Sequence, residues 1–181
     1  RILPECAQIE EFKQMFLRET SLCAVLQHPN IIQVFSTGER DGYLYLVMEF
    51  LDGKTLQDIF DILASADVQP PIEVSCFLIA EAAKGLGYAH NAKDPKSGKS
   101  LDVIHRDVSP HNIMVSYDGS VKVVDFGIAK AKSSTDLTQS GVIKGKEGYL
   151  SPEVVKGSEI DSRSDIFALG VVLYEMITGK F

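Results

Sequence analysis

Apolar residues recur at Ile9, Phe12, Phe16, Cys23 and Leu26, a spacing that predicts an amphipathic helix over residues 9–26. His28-Pro29-Asn30 ends it, because proline lacks the N–H that another turn would need. Glu19 falls on the same stripe and so points inward, where a carboxylate needs a cation. Ile31–Phe35 and Tyr43–Phe50 read as strands joined by the turn Glu39-Arg40-Asp41-Gly42. Residues 51–54 form a short link. Thr55 is placed to cap a helix over 56–64, and 66–71 is a loop whose Pro71 can start the next helix. That helix, 72–90, is apolar on several sides and is expected to be buried. Residues 91–100 are polar, with Pro and Gly, and read as a solvated loop. Ile113–Val115 and Val121–Val124 flank Tyr117-Asp118-Gly119 as a second hairpin. Residues 133–140 are Ser/Thr-rich without period and read as mobile. A short helix is expected at 152–156. A helix at 163–178, apolar on nearly all sides, is expected to be central. This order gives an α+β chain with a strand-containing part, 1–50, a link at 51–54 and a mostly helical part, 55–181.

Composition narrows the class. A content of 45% hydrophobic and 24% charged residues, with 14 Gly and 7 Pro, is globular rather than disordered. Eighteen Lys and Arg against 25 Asp and Glu give a net charge of −7, which argues against a nucleic-acid coat. The pair Lys144 and Lys146 is too small to reverse that. Cys6, Cys23 and Cys76 are odd in number and lack a C-x-x-C spacing. They read as reduced, buried thiols of a cytoplasmic protein rather than a disulfide framework or zinc site. No run approaches the ~18 apolar residues of a membrane span, so no membrane contact is expected from this segment. Glu5, Glu10 and Glu11 stand where a signal peptide would be apolar. The chain opens on Arg1 and stops at Phe181 after an apolar helix, and both ends read as cuts.

The chemistry is concentrated in His105-Arg106-Asp107-Val108-Ser109-Pro110-His111-Asn112. This string matches H-R-D-L-x-x-x-N except for Val in place of Leu. Asp125-Phe126-Gly127 follows eighteen residues after Asp107, at the end of a strand, and Ser151-Pro152-Glu153 stands where A-P-E belongs. Asp165 then precedes the apolar helix. In this order the set resembles the eukaryotic-type (Hanks-type) protein kinases, most of all the bacterial serine/threonine branch, over essentially the whole chain. Phosphoryl transfer needs the γ-phosphate, its metals and the acceptor held in line. The two loops carrying 107, 112 and 125 share a hairpin base that can bring them together.

The resemblance implies a two-lobe fold and a role for each matching position. Asp107 would receive or orient the acceptor's proton. Asn112 and Asp125 would hold Mg²⁺. Glu19 would pair with a strand lysine on the ATP phosphates, a lysine expected just before Arg1. Met48 takes the gatekeeper position, Glu49 and Leu51 would offer backbone groups to adenine, and Met114 would floor its ring. Cys23, Val34, His105 and Phe126 align with the apolar spine between lobes, which makes Cys23 a packing residue. Arg106 would pair with a phosphate on the Ser/Thr-rich segment, at Thr138 or Ser140. ATP, Mg²⁺ and a protein carrying Ser or Thr are the implied cofactors and partner, with autophosphorylation included.

Three departures qualify this. The family's serine/threonine members carry Lys two residues after the catalytic Asp, where this chain has Ser109. They usually carry Thr where this chain has Lys146, after Gly145. The two positions face each other across the acceptor site, so the pattern suggests a swap in which Lys146 supplies the missing cation. Residues 91–100 lengthen a normally short connection. Glu153, which in the family pairs with a later Arg, is expected to lack its partner here. A pseudokinase that binds without turnover is the alternative, and a metal-dependent hydrolase using His105 or His111 a remote one. Tyrosine specificity is disfavoured, because Ser109-Pro110-His111 keeps the serine/threonine-type Pro.

Overall fold

The computed structural model describes residues 10–41, 43–126 and 147–180, with the side chains at 11, 12, 15, 18, 19, 21 and 147 left undescribed. Its first element is helix α1, Glu10–Val25. Phe16 and Leu26 are buried as the stripe predicts, and so is Thr20, whose hydroxyl returns to Phe16 O at 2.7 Å. That local bond satisfies the polar group and explains a buried threonine the apolar pattern missed. The inward direction expected of Glu19 lies outside the described side chains.

Strands β1 (Val34–Arg40) and β2 (Tyr43–Met48) pair antiparallel, from Val34 opposite Met48 to Arg40 opposite Tyr43. Glu39 and Arg40 are therefore strand, not turn as expected. The reversal is carried by Asp41 at φ 54°, a conformation that Asp tolerates better than most residues. Residues 31–33 are not part of β1. They lie along the second sheet instead, with Ile31 bridged in parallel to Val123 and Ile32 N–H donating to Val123 O.

That second sheet has the order β3 (Gly53–Thr55), β4 (Ile113–Ser116), β5 (Val121–Val123), all antiparallel. The strand β3 corrects the reading of 51–54 as a plain link. Its partners lie about sixty residues on, Gly53 opposite Ser116 and Thr55 opposite Met114, so no local pattern announces it. Gly53 is required there: a Cβ would stand 2.2 Å from Val115 O. Thr55 then caps helix α2, Leu56–Ser65, with a full capping box to Asp58, as its position predicts.

Helix α3, Ile72–His90, starts after Pro71 and buries Leu78, Ile79, Ala82, Leu86 and Ala89. Those residues pack in one core with Ala168, Leu169, Val172 and Met176 of α5, Ser162–Thr178, which follows the short helix α4, Pro152–Val155. Neither long helix is buried all round. Ile72 and Phe77 on α3, and Ile166 and Tyr174 on α5, are more than half exposed. Cys76 is exposed too, which corrects its expected burial; Cys6 lies outside the described residues. Gly85 lets α3 approach the 28–31 segment, since a Cβ would meet Asn30 O at 2.6 Å.

Residues 91–100 are mostly exposed, as expected of a solvated loop, and fold back as a small hairpin with Lys93 bridged to Ser100. The expected mobile stretch 133–140 lies outside the described residues. No helix among the described residues is long and apolar enough to cross a membrane.

Candidate active site

The loop between α3 and β4 is built around one buried carboxylate. Asp165, at the start of α5, is 1% exposed. Its Oδ2 accepts His105 N–H at 2.8 Å, and its Oδ1 accepts Arg106 N–H at 2.8 Å. His90, the last residue of α3, adds its Nε2 to Oδ2 at 2.7 Å. Burial pushes this carboxyl up, but the His90 bond, then the nearby His105 ring and the two backbone N–H groups, outweigh it and hold the acid below its usual range. Two loop residues are thus hung from α5 by their main chain.

His105 is fully buried and makes two more ties. Its Nε2 lies 2.8 Å from Val124 O, which can only accept, so that nitrogen carries the proton. Its Nδ1 then accepts Asp107 N–H at 3.2 Å. Both nitrogens are engaged, which leaves neither for a metal, and His111 is exposed. The His105 ring also packs on Phe126 with centroids 4.6 Å apart, while the Cys23 thiol donates to Phe126 O at 3.2 Å. With Val34 buried as well, the four residues of the expected spine are all interior or partly so.

These ties place Asp107 and Asn112. The Asn112 amide nitrogen donates to Asp107 O at 2.7 Å and to Asp107 Oδ2 at 2.9 Å. Asn112 is 6% exposed, and no hydrogen bond to its Oδ1 is found among the described residues. Val124 N–H donates to Asn112 O at 3.0 Å, so the next residue, Asp125, emerges beside Asn112. Asp125 is exposed and sits at φ 62°; Arg106 sits at φ 68°. Left-handed backbone at two non-glycine residues is strained, and it persists because the surrounding bonds fix it. An amide oxygen and a carboxylate, carried on segments that the Val124–Asn112 main-chain bond joins, are the hard donors that suit a cation such as Mg²⁺.

Ser109 is 1% exposed, and its Oγ has no hydrogen-bond partner among the described residues. With Asp107 and Arg106 it lines a cavity shared with Tyr149, Ser151 and Val154. The Arg106 Nε is buried with no hydrogen-bond partner among the described residues. Tyr149 donates its hydroxyl to Glu175 Oε2 at 2.6 Å; burial first, and that carboxylate second, raise its pKa well above the usual range, so it stays a neutral donor. Glu153 accepts the Ser164 hydroxyl at 2.7 Å, and no arginine pairs with it among the described residues.

At the other edge, Glu49 N–H is taken by Gln33 O at 2.9 Å. Its carbonyl, and both main-chain groups of Leu51, make no backbone bond among the described residues. The Glu49 side chain reaches inward to Lys122 of β5 at 2.9 Å and accepts Gln33 N–H at 2.7 Å. Lys122 also leans on Ile31 O at 3.5 Å. Sequence reading missed this strut and the His90 tie; both join residues far apart in the chain. Met48 is 39% exposed and Met114, on β4, is half-buried. Lys146, Thr138, Ser140 and the Glu19 side chain lie outside the described residues.

A family model described as protein kinase domain matches residues 3–181. MasK of Myxococcus xanthus, named a tyrosine-protein kinase, is 43% identical over 98% of this chain and 27% of its own length. The serine/threonine-protein kinase PknB of Mycobacterium leprae is 42% identical over 97% of the chain and 27% of its own. PrkC of Bacillus subtilis, likewise named a serine/threonine-protein kinase, is 37% identical over 96% and 25%. The chain thus spans about a quarter of the length of the curated relatives it matches. The crystal structure of the Mycobacterium tuberculosis PknI kinase domain superposes with a TM-score of 0.73 at 28% identity, covering 98% of this chain and 62% of that one.

Proposed function

The chain belongs to the protein kinase domain family and is related to bacterial serine/threonine kinases, and from that premise we propose that its protein transfers the γ-phosphate of ATP to Ser and Thr hydroxyls, its own included. The observation that carries the reading is the Asn112–Asp107 hydrogen bond at 2.9 Å with Asp125 delivered beside it by the Val124–Asn112 main-chain bond. A bound Mg²⁺ supplies neutralisation of phosphate charge. The residues do the rest. Asn112 Oδ1 and Asp125 would hold the cation. Asp107, steadied by the Asn112 amide, would orient the acceptor hydroxyl and take its proton as the new P–O bond forms and ADP leaves.

The nucleotide end follows from main-chain groups. Glu49 O and Leu51 N–H would meet adenine between Met48 and Met114, with 51–54 as the hinge between parts 1–50 and 55–181. Glu19 would pair with a lysine outside this chain. Arg106, whose Nε has no hydrogen-bond partner among the described residues, would receive a phosphate carried by Thr138 or Ser140. The partner is a protein and not a nucleic acid, and the compartment is the cytoplasm, where ATP is abundant.

Ser109 cannot supply the cation that a lysine would, and we assign that role to Lys146. A flexible ammonium stem can span the distance, and charge in the transition state must be balanced. In the full-length protein, Lys146→Thr should lower kcat about tenfold or more, and adding Ser109→Lys should recover much of it. A silent Lys146→Thr, or effects that merely add, would refute the swap.

The acceptor has a second reading, because one relative is named a tyrosine kinase. Pro110, buried in the loop after Ser109, favours Ser/Thr. Phosphoamino-acid analysis of protein labelled from ATP decides it: phosphoserine and phosphothreonine are expected, and phosphotyrosine alone would transfer the reading to tyrosine.

A further inference from the structure

The connection between α3 and the catalytic loop is longer than the site needs, and the excess is folded back on itself. Leu101 N–H returns to Ala92 O at 2.9 Å and Asp94 N–H to Lys99 O at 2.8 Å. Gly98, at φ 69°, turns the tip and donates to Asp94 O at 2.9 Å. The Asp94 carboxylate accepts the N–H groups of Lys96 and Ser97, so the hairpin's own acid is spent on its backbone. At the base, Ala92 and Leu101 pack against the core. Nothing in phosphate transfer uses this piece.

What the hairpin shows to solvent is charge. Lys93, Lys96 and Lys99 are all exposed, and none makes an ion pair among the described residues. Lys93 lies opposite Ser100 and Lys99 opposite Asp94. Neighbouring cross-strand pairs point to opposite faces, so these two lysines flank the hairpin while Lys96 stands at the turn. In a chain of net charge −7 this is a local reversal of sign.

We propose that residues 91–100 are a docking knob for an acidic, Asp/Glu-rich segment of a protein partner. Three ammonium groups splayed around a tip match several spaced carboxylates. A single phosphate asks for donors converging on one point, and this arrangement lacks that. A lipid surface fits less well: residues 91–100 carry no exposed large apolar side chain, and a broad anionic membrane would meet the acidic body as well. Because the hairpin is already built, a partner would order little on binding.

The test is direct binding to the full-length protein, which does not depend on phosphate transfer. The probes are a labelled poly-glutamate peptide, a neutral peptide bearing one phosphoserine, and phosphatidylserine-rich vesicles. The triple variant Lys93→Glu, Lys96→Glu, Lys99→Glu should weaken poly-glutamate binding about tenfold, with the Gln triple variant between, and added salt should weaken the parent's binding. Activity on a short uncharged peptide should stay unchanged in both variants. The proposal is overturned if the parent does not bind poly-glutamate, or if the Glu variant binds it equally. It is overturned as well if the phosphopeptide or the vesicles bind more tightly than poly-glutamate through these lysines.

Discussion

A carboxylate with 1% of its surface exposed lies beneath residues 105 and 106, and its neighbours explain why it stays ionised. Asp165 accepts three donors, two of them main-chain N–H groups of the loop that carries Asp107. In Asp165→Asn an NH₂ group would face donors, leaving buried N–H groups unmet. The expected loss is on the order of 3 kcal/mol of stability. kcat should fall at least tenfold, while ATP affinity changes little because the proposed adenine contacts are on Glu49 and Leu51, away from this loop. A thermal melt and nucleotide titration check this. The sign of the pH effect follows from the lowered pKa. The contribution of Asp165 is complete above its unfolded value near ~3.9 and is lost as pH falls through the lower folded value, so the native loop should fail in acid and not at neutral pH.

Elements here are held by a few long-range ties, and two can be probed separately. The β4–β5 turn is closed by Asp118, which accepts the Ser116 hydroxyl and Ser120 N–H; these bonds lower its pKa to about 2. Its support for the hairpin should be present above about pH 4 and decline toward pH 2. In Asp118→Asn that acid-linked change should vanish from hydrogen exchange at residues 116–121. The second tie is the Glu49–Lys122 strut, which links the 48–51 segment to the strand that ends beside Asp125. Lys122→Met keeps the stem and removes the charge. It should cost about 1 kcal/mol, since the pair is only partly buried, and should speed exchange at the Glu49 and Gln33 amides. Unchanged exchange there would show that the main-chain bonds alone hold the segment. These elements also show what a sequence can and cannot announce. The capping box at Thr55 and Asp58 is complete within four residues, so it is legible. The strand Gly53–Thr55 exists because of residues 114–116, and the His90 tie because of Asp165, so neither leaves a local trace.

At the scale of the molecule, α3 and α5 form the frame on which both loops rest. Leu86 is fully buried between them, and Leu86→Ala should cost about 2–5 kcal/mol, read as a lowered midpoint in a denaturant titration of the full-length protein. The site itself was readable because its residues are clustered in two short strings whose chemistry demands those types. The outward faces of α3 and α5 were misjudged for the opposite reason: Phe77 and Ile166 look like core by composition, and only the fold decides which side is covered. The central claim is that Asp107, held by Asn112, handles the acceptor's proton while the nucleotide is held elsewhere. The most direct measurement is incorporation of labelled γ-phosphate by full-length Asp107→Asn protein, with ATP affinity measured on the same sample. Incorporation should fall by about a thousandfold or more with affinity nearly unchanged. Retained transfer, or an equal loss of ATP binding, would contradict the account.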